Sequence, residues 1–363
     1  MSVPILFEIH PATFGGTERF LSLLLPRLDR RRFAPMVIAP RAGAPLARIA
    51  ALGVPTVVVE HYFSQRGIRA IASVIREHRI GLVQSNYYAS HLAMAANLAE
   101  VPHIWRLGGH VGVGSGASSV ADEHLTLKMI QLLSQVVVCN SQFIRHQFGR
   151  AKASVQVIPN GVEIPPVRPG RNRQGPYRIG MIAHFTAQKR HEDFIEAAAA
   201  VASGRDDVTF TILGREYAHG ESRRYAARMR RLARDVPRVT LGEFSDGHAA
   251  RDFDILVLPS IGESHSNAVL EAMAAGVPVV AARSGGNAEL VRHKVTGLLV
   301  APQHPQALAK AVIALLDAPS TRQAMGAAAR TDARDRFSIG GCVRRYENLY
   351  RTILRGTLPT AES

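Results

Sequence analysis

Cysteine is scarce in this chain of 363 residues: only Cys139 and Cys342 occur, far apart. That pair excludes a disulfide framework and a cysteine-based zinc site, and it fits a reducing compartment. No apolar stretch reaches the length of a membrane-spanning helix, and the opening residues lack a basic region followed by a long apolar run. A cytoplasmic protein is expected, touching a membrane at most peripherally, at its inner face. Acid is short as well, with 29 Asp and Glu against 44 Lys and Arg, a net charge of +15 in which only five residues are lysine. Such a surface seeks anions: nucleic acid, anionic lipid or phosphorylated small molecules. The basic clusters are Arg27, Arg30, Arg31 and Arg32, then Arg223, Arg224, Arg228, Arg230, Arg231 and Arg234. Only Tyr225 interleaves with them, so no nucleic-acid partner is expected. The clusters read as solvated helix faces or as a surface for an anionic membrane.

What is present is alternation. Apolar runs at 3–9, 36–39, 56–59, 81–85, 103–107, 136–139 and 155–158 are separated by helical patterns such as 17–28 and 90–99. Strands alternating with helices imply a mostly parallel sheet covered on both faces. Prolines and glycines then punctuate 164–176, which reads as a linker between a first domain at 1–163 and a second at 177–335. The alternation restarts with runs at 178–183, 208–213, 239–241, 255–258 and 278–281. The chain ends in a helical tail, 336–363. The expected fold class is α/β, two doubly wound Rossmann-like domains, with ligands at the C-terminal ends of the strands.

The run 255–258 leads through a polar loop, Pro259 to Ser266, into a helical segment and another apolar run. A helix opening near Ser264, His265 and Ser266 presents unpaired backbone N–H groups that suit a diphosphate. Glu271, farther along that helix, can accept hydrogen bonds from the vicinal hydroxyls of a ribose. Glu263, in the loop, is placed for the hydroxyls of a sugar. Two glutamates eight positions apart also arise as solvated helix charges, but their setting resembles the E-x7-E signature of retaining glycosyltransferase family four, which has the GT-B fold with both domains facing a central cleft. Phe14-Gly15-Gly16-Thr17-Glu18 is similar to the family's Gly-Gly-x-Glu turn. Val138 to Ser141, Ile158 to Glu163, Gly285 to Val291 and Thr296 to Val300 match further landmarks in order.

The resemblance implies an acceptor-side first domain, a donor-binding second domain and a tail crossing back to the first. It implies transfer, with retention, of a hexose-type sugar from a UDP- or GDP-type donor to a saccharide, lipid-linked saccharide or small molecule. The nucleotide sugar is a substrate, and neither cofactor nor metal is expected. Members carry an arginine and a lysine directed at the donor phosphates; here Lys189 is kept and His184 stands where the arginine would be. His110, after the run 103–107, corresponds to a histidine near the transferred sugar. His110, Lys189 and Glu263 are therefore the catalytic candidates. The donor set comprises Gly15, Gly16, His184, Lys189, Phe244, Glu263, Ser264, His265, Ser266, Asn267 and Glu271. Phe244 lies near the base or is a core aromatic. Asn86, Tyr87 and His110 form the acceptor side, though Asn86 and Tyr87 also read as plain loop surface. Gly112, Gly114 and Ala117 make a partial dinucleotide fingerprint without its acidic partner. Asp252 and Asp254 mimic a metal-binding Asp-x-Asp but precede their strand, and so read as structural. A nucleotide-sugar-binding GT-B protein without transferase activity and a GT-B epimerase are the alternatives.

Overall fold

The central apolar runs fold as strands because both of their faces are covered. On β1 (Val3–Glu8), Ile5 and Phe7 enter one core while Leu6 enters another on the opposite face. In the computed structural model, which describes residues 2–9, 15–86, 89–109, 128, 132–147, 154–167, 175–217, 220–243 and 249–356, the chain divides into two compact units. One contains 1–161 and 339–363, the other 162–338. Val162 donates to the Phe337 carbonyl at 2.8 Å and Arg330 bonds the Pro165 carbonyl, so the start of the expected linker is tied into the second unit. Residues 168–174 lie outside the described residues.

The first unit holds a sheet of seven parallel strands in the order β3-β2-β1-β4-β5-β6-β7, where β2 is Phe33–Ala39, β3 Thr56–Val58, β4 Leu82–Ser85, β5 His103–Leu107, β6 Val136–Cys139 and β7 Ser154–Val157. The strand order reverses between β1 and β4, so the loops after those strands diverge and leave a crevice at their C-terminal ends. The helix Ile339–Leu354 completes this unit's core through Cys342, Val343, Tyr346, Leu349, Tyr350 and Ile353. Tyr350 sits edge-on to Phe7 and Phe33 and donates its hydroxyl to Gln84 Oε1 at 2.7 Å. Both cysteines are buried and unbridged.

The second unit repeats the plan with six parallel strands ordered β10-β9-β8-β11-β12-β13: β8 Tyr177–Ile182, β9 Val208–Leu213, β10 Val239–Gly242, β11 Ile255–Leu258, β12 Val279–Ala282 and β13 Gly297–Val300. β13, read from the sequence only as a family landmark, pairs in register with β12. Within the expected tail, 336–363, lies the helix Ile339–Leu354, separated from the helix Pro319–Phe337 where Ser338 turns extended at ψ 140°. Among the described residues no helix is long and apolar enough to cross a membrane.

Candidate functional site

In the second unit the strand order reverses between β8 and β11, and that switch brings two distant loops together. After β8, residues 187–189 make one 3-10 turn, which Arg190 ends in the left-handed region at φ 54°. The Arg190 guanidinium is held by Asp193 at 2.7 and 3.1 Å and by Glu192 at 3.1 Å, so its charge is neutralised at the head of the helix His191–Ala202. Lys189 points instead across the switch, with Nζ 2.5 Å from Glu263 Oε1 in the loop after β11. The side chains are 22% and 10% exposed, which leaves the pair shielded yet reachable by a ligand.

The second loop ends on Ser266, whose hydroxyl accepts from Val269 N at 3.4 Å and caps the helix Asn267–Ala275. The helix starts three residues later than its earliest expected position, so Ser264 and His265 belong to the loop. The positive dipole end of this helix favours an anion there. Glu271 is half-buried at the fifth helical position, in the second turn. His265 is buried and packs edge-on to Phe337, with ring centroids 5.5 Å apart, so its ring serves packing.

His184 stacks on Tyr217 at 4.7 Å, and its Nδ1 lies 3.2 Å from the Arg215 carbonyl oxygen. A carbonyl can only accept, so Nδ1 carries the proton and a neutral ring has none left for a phosphate. Burial, chiefly, holds this ring below the ordinary histidine range; the carbonyl bond opposes that, and the Lys189 and Arg215 charges add to it. Arg215 itself, after β9, is a positive charge beside His184 that the sequence reading did not single out.

In the first unit Gly15 caps the helix Gly16–Leu24, its N–H donating to Glu18 Oε2 at 2.8 Å. Asn86 is buried, and both ends of its amide are engaged: Nδ2 donates to the Glu8 carbonyl at 2.8 Å while Oδ1 accepts from Gln84 at 3.2 Å. It shapes the floor at the end of β4. Tyr87, His110 and Phe244 lie outside the described residues, as do 112–117. Sequence reading passed over Arg106, buried in β5 just before Gly108. Its Nη2 reaches Asn160 Oδ1 at 2.7 Å and its guanidinium lies 3.8 Å from the Phe20 ring centre. A charged residue inside an otherwise apolar strand was the available signal.

Asp254 immediately precedes β11 and is engaged by backbone: Oδ2 accepts from Arg178 N at 2.8 Å, and its own N–H donates to the Arg178 carbonyl at 2.7 Å. Among the described residues no group of His, Cys, Asp or Glu is arranged to hold a metal ion.

Two doubly wound parallel sheets in separate units, the second with a lysine–carboxylate pair at its switch point, define a GT-B fold. Residues 14–164 match the family model described as Glycosyltransferase Family 4, and residues 176–318 match that for Glycosyl transferases group 1; the chain belongs to this family. It is 30% identical over 261 residues to a Mycobacterium tuberculosis glycogen synthase, across 68% of this chain and 62% of the relative. It is 28% identical over 357 residues to the same organism's GDP-mannose-dependent alpha-(1-6)-phosphatidylinositol monomannoside mannosyltransferase, across 88% of this chain and 90% of that one. The chain thus spans about three fifths of the first relative and most of the second. The crystal structure of Anabaena Alr3699/HepE with UDP and glucose superposes with a TM-score of 0.82 at 23% identity, over 96% of this chain and all of that one, a likeness of fold.

Proposed function

We propose that the protein is a retaining, metal-independent glycosyltransferase that moves a hexose-type sugar from a UDP- or GDP-sugar to a saccharide or lipid-linked acceptor. The observation that carries this reading is the Lys189–Glu263 pair at the switch point, followed eight positions later by Glu271 on the adjoining helix. Lys189 and the helix amides take the diphosphate, Glu263 the sugar hydroxyls and Glu271 the ribose. The acceptor oxygen attacks the anomeric carbon on the face the leaving group departs from, the bond to the phosphate oxygen breaks, and that oxygen takes the acceptor's proton. The protein's part is to orient the substrates and to stabilise charge growing on the diphosphate. Relatives named for GDP-mannose and a fold neighbour crystallised with UDP and glucose support the donor class. The basic surface suits an acceptor held at an anionic membrane.

The first test is a thermal-shift screen with UDP, GDP, ADP and their sugar conjugates, with and without EDTA, because a ligand of the native state raises the melting temperature. A selective shift that survives EDTA is expected, and Glu271→Ala should weaken that ligand by roughly 1.5–3 kcal/mol, the range of a charge-assisted hydrogen bond. Unchanged affinity in that variant would remove the ribose assignment. The proton of His184 held on Arg215 gives weight to a second reading, a nucleotide-sugar-binding protein without transferase activity. Tight donor binding with neither transfer nor slow hydrolysis would favour it.

A further inference from the structure

The turn Ser284-Gly285-Gly286, after β12, has no part in the roles above, yet it packs directly on the loop that carries Glu263. Gly286 N donates to the Glu263 carbonyl at 2.6 Å, and Ser284 Oγ accepts from Gly262 N at 3.0 Å. A Cβ on Gly286 would stand 1.9 Å from the Ser264 carbonyl oxygen, and one on Gly285 would stand 2.3 Å from that of Glu263. Gly285 is moreover at φ +56°, where side chains are strained. The two glycines are what allow this approach. Gln188, next to Lys189, grips the same loop: its carbonyl accepts from Ile261 N and its Nε2 donates to the Gly262 carbonyl, both at 3.0 Å.

Four backbone groups of 261–263 are therefore fixed by two segments distant in sequence. A loop residue so held has little freedom left beyond its own side-chain torsions, and recognition groups must sit within about 0.5 Å of their working position. We propose that Ser284, Gly286 and Gln188 are positioning residues that fix the reach of the Glu263 carboxylate, and so set how strongly the site prefers a nucleotide sugar over the bare nucleoside diphosphate. This rests on the donor reading above. The clamp acts on the loop that recognises the sugar, whereas the helix amides and Lys189 recognise the diphosphate in either ligand.

The test is calorimetric titration of the whole chain with UDP, GDP and their glucose and mannose conjugates, for the wild type, Ser284→Ala, Ser284→Thr and Gln188→Ala. Losing one hydrogen bond to the loop should weaken the favoured nucleotide sugar by roughly three- to tenfold. Bare nucleoside diphosphate should bind no more weakly than to the wild type, melting temperatures should stay close to it, and Ser284→Thr should restore the preference. Gly286→Ala should lose it altogether or fail to fold, and the serine pair decides the matter in the latter case. Equal weakening of both ligands, or an unchanged preference in Ser284→Ala and Gln188→Ala, would overturn the proposal. A wild type that binds the nucleotides without preferring any conjugate overturns it too. A wild type that binds none of them removes the donor reading itself, an outcome visible before any variant is made.

Discussion

The carboxylate of Glu263 and the ammonium of Lys189 satisfy each other in the free protein, so under the proposed function a donor diphosphate must take the ammonium from the carboxylate. A shielded pair of this kind is worth about 1 kcal/mol. Glu263→Gln removes the competing charge while leaving the loop in place. It should tighten bare nucleoside diphosphate binding roughly fivefold and reduce sugar transfer at the same time. Titration and turnover on one preparation measure both, and weaker nucleotide binding would show that the carboxylate helps hold Lys189 in its working position. His184 makes an opposite demand. It can donate to phosphate only when doubly protonated, and burial keeps the free protein's ring below the ordinary histidine range. Binding that uses this ring must take up a proton, so affinity for a nucleotide sugar should rise as pH falls from 8 toward 6 and be flat in His184→Ala. A flat wild-type profile would leave His184 as a support for Tyr217 and the Arg215 backbone.

Among the elements, the helix Ile339–Leu354 has the plainest energetic role, because it supplies two tyrosines to the first unit's core. Tyr350→Phe keeps the ring against Phe7 and Phe33 but leaves Gln84 Oε1 without its donor in the interior, a loss of about 1–3 kcal/mol. Urea unfolding should show a lower midpoint with an unchanged slope. Elements of this kind were legible in the sequence because strands buried on both faces must be continuously apolar, and β9, β11, β5 and β6 fall within a residue of where the pattern puts them. The loop-to-helix step carrying Glu263 and Glu271 was legible for the same reason, since order along the chain places it after a strand. Partners that meet only through tertiary folding were not. Arg215 lies 31 positions from the His184 ring it holds, and Ser284 lies 22 from the amide it accepts. No local pattern announces either bond. The buried guanidinium of Arg106 likewise meets its acceptor, Asn160, across 54 positions.

For the molecule as a whole, histidines that folding keeps neutral contribute to stability in acid, and among the described residues each unit holds one lowered far below the ordinary histidine range. His103, fully buried in the first unit between the Ser85 and Ser134 hydroxyls, is pushed down to about 3 by burial. His191, stacked on Phe185 in the second, is pushed down to about 4, chiefly by burial. Both folded values lie below the ordinary 6.5. The unfolded chain therefore binds more protons between those limits, and stability must fall as pH drops through that window while staying insensitive to these groups above it. Each histidine contributes a slope of about 1.4 kcal/mol per pH unit within its window. Denaturant unfolding from pH 7 to 4.5 should show that decline, and His191→Phe, which preserves an aromatic stack on Phe185, should flatten it by about one proton. If the slope survives the substitution, His191 is already protonated in the fold over that range, and its burial is not what makes the second unit sensitive to acid.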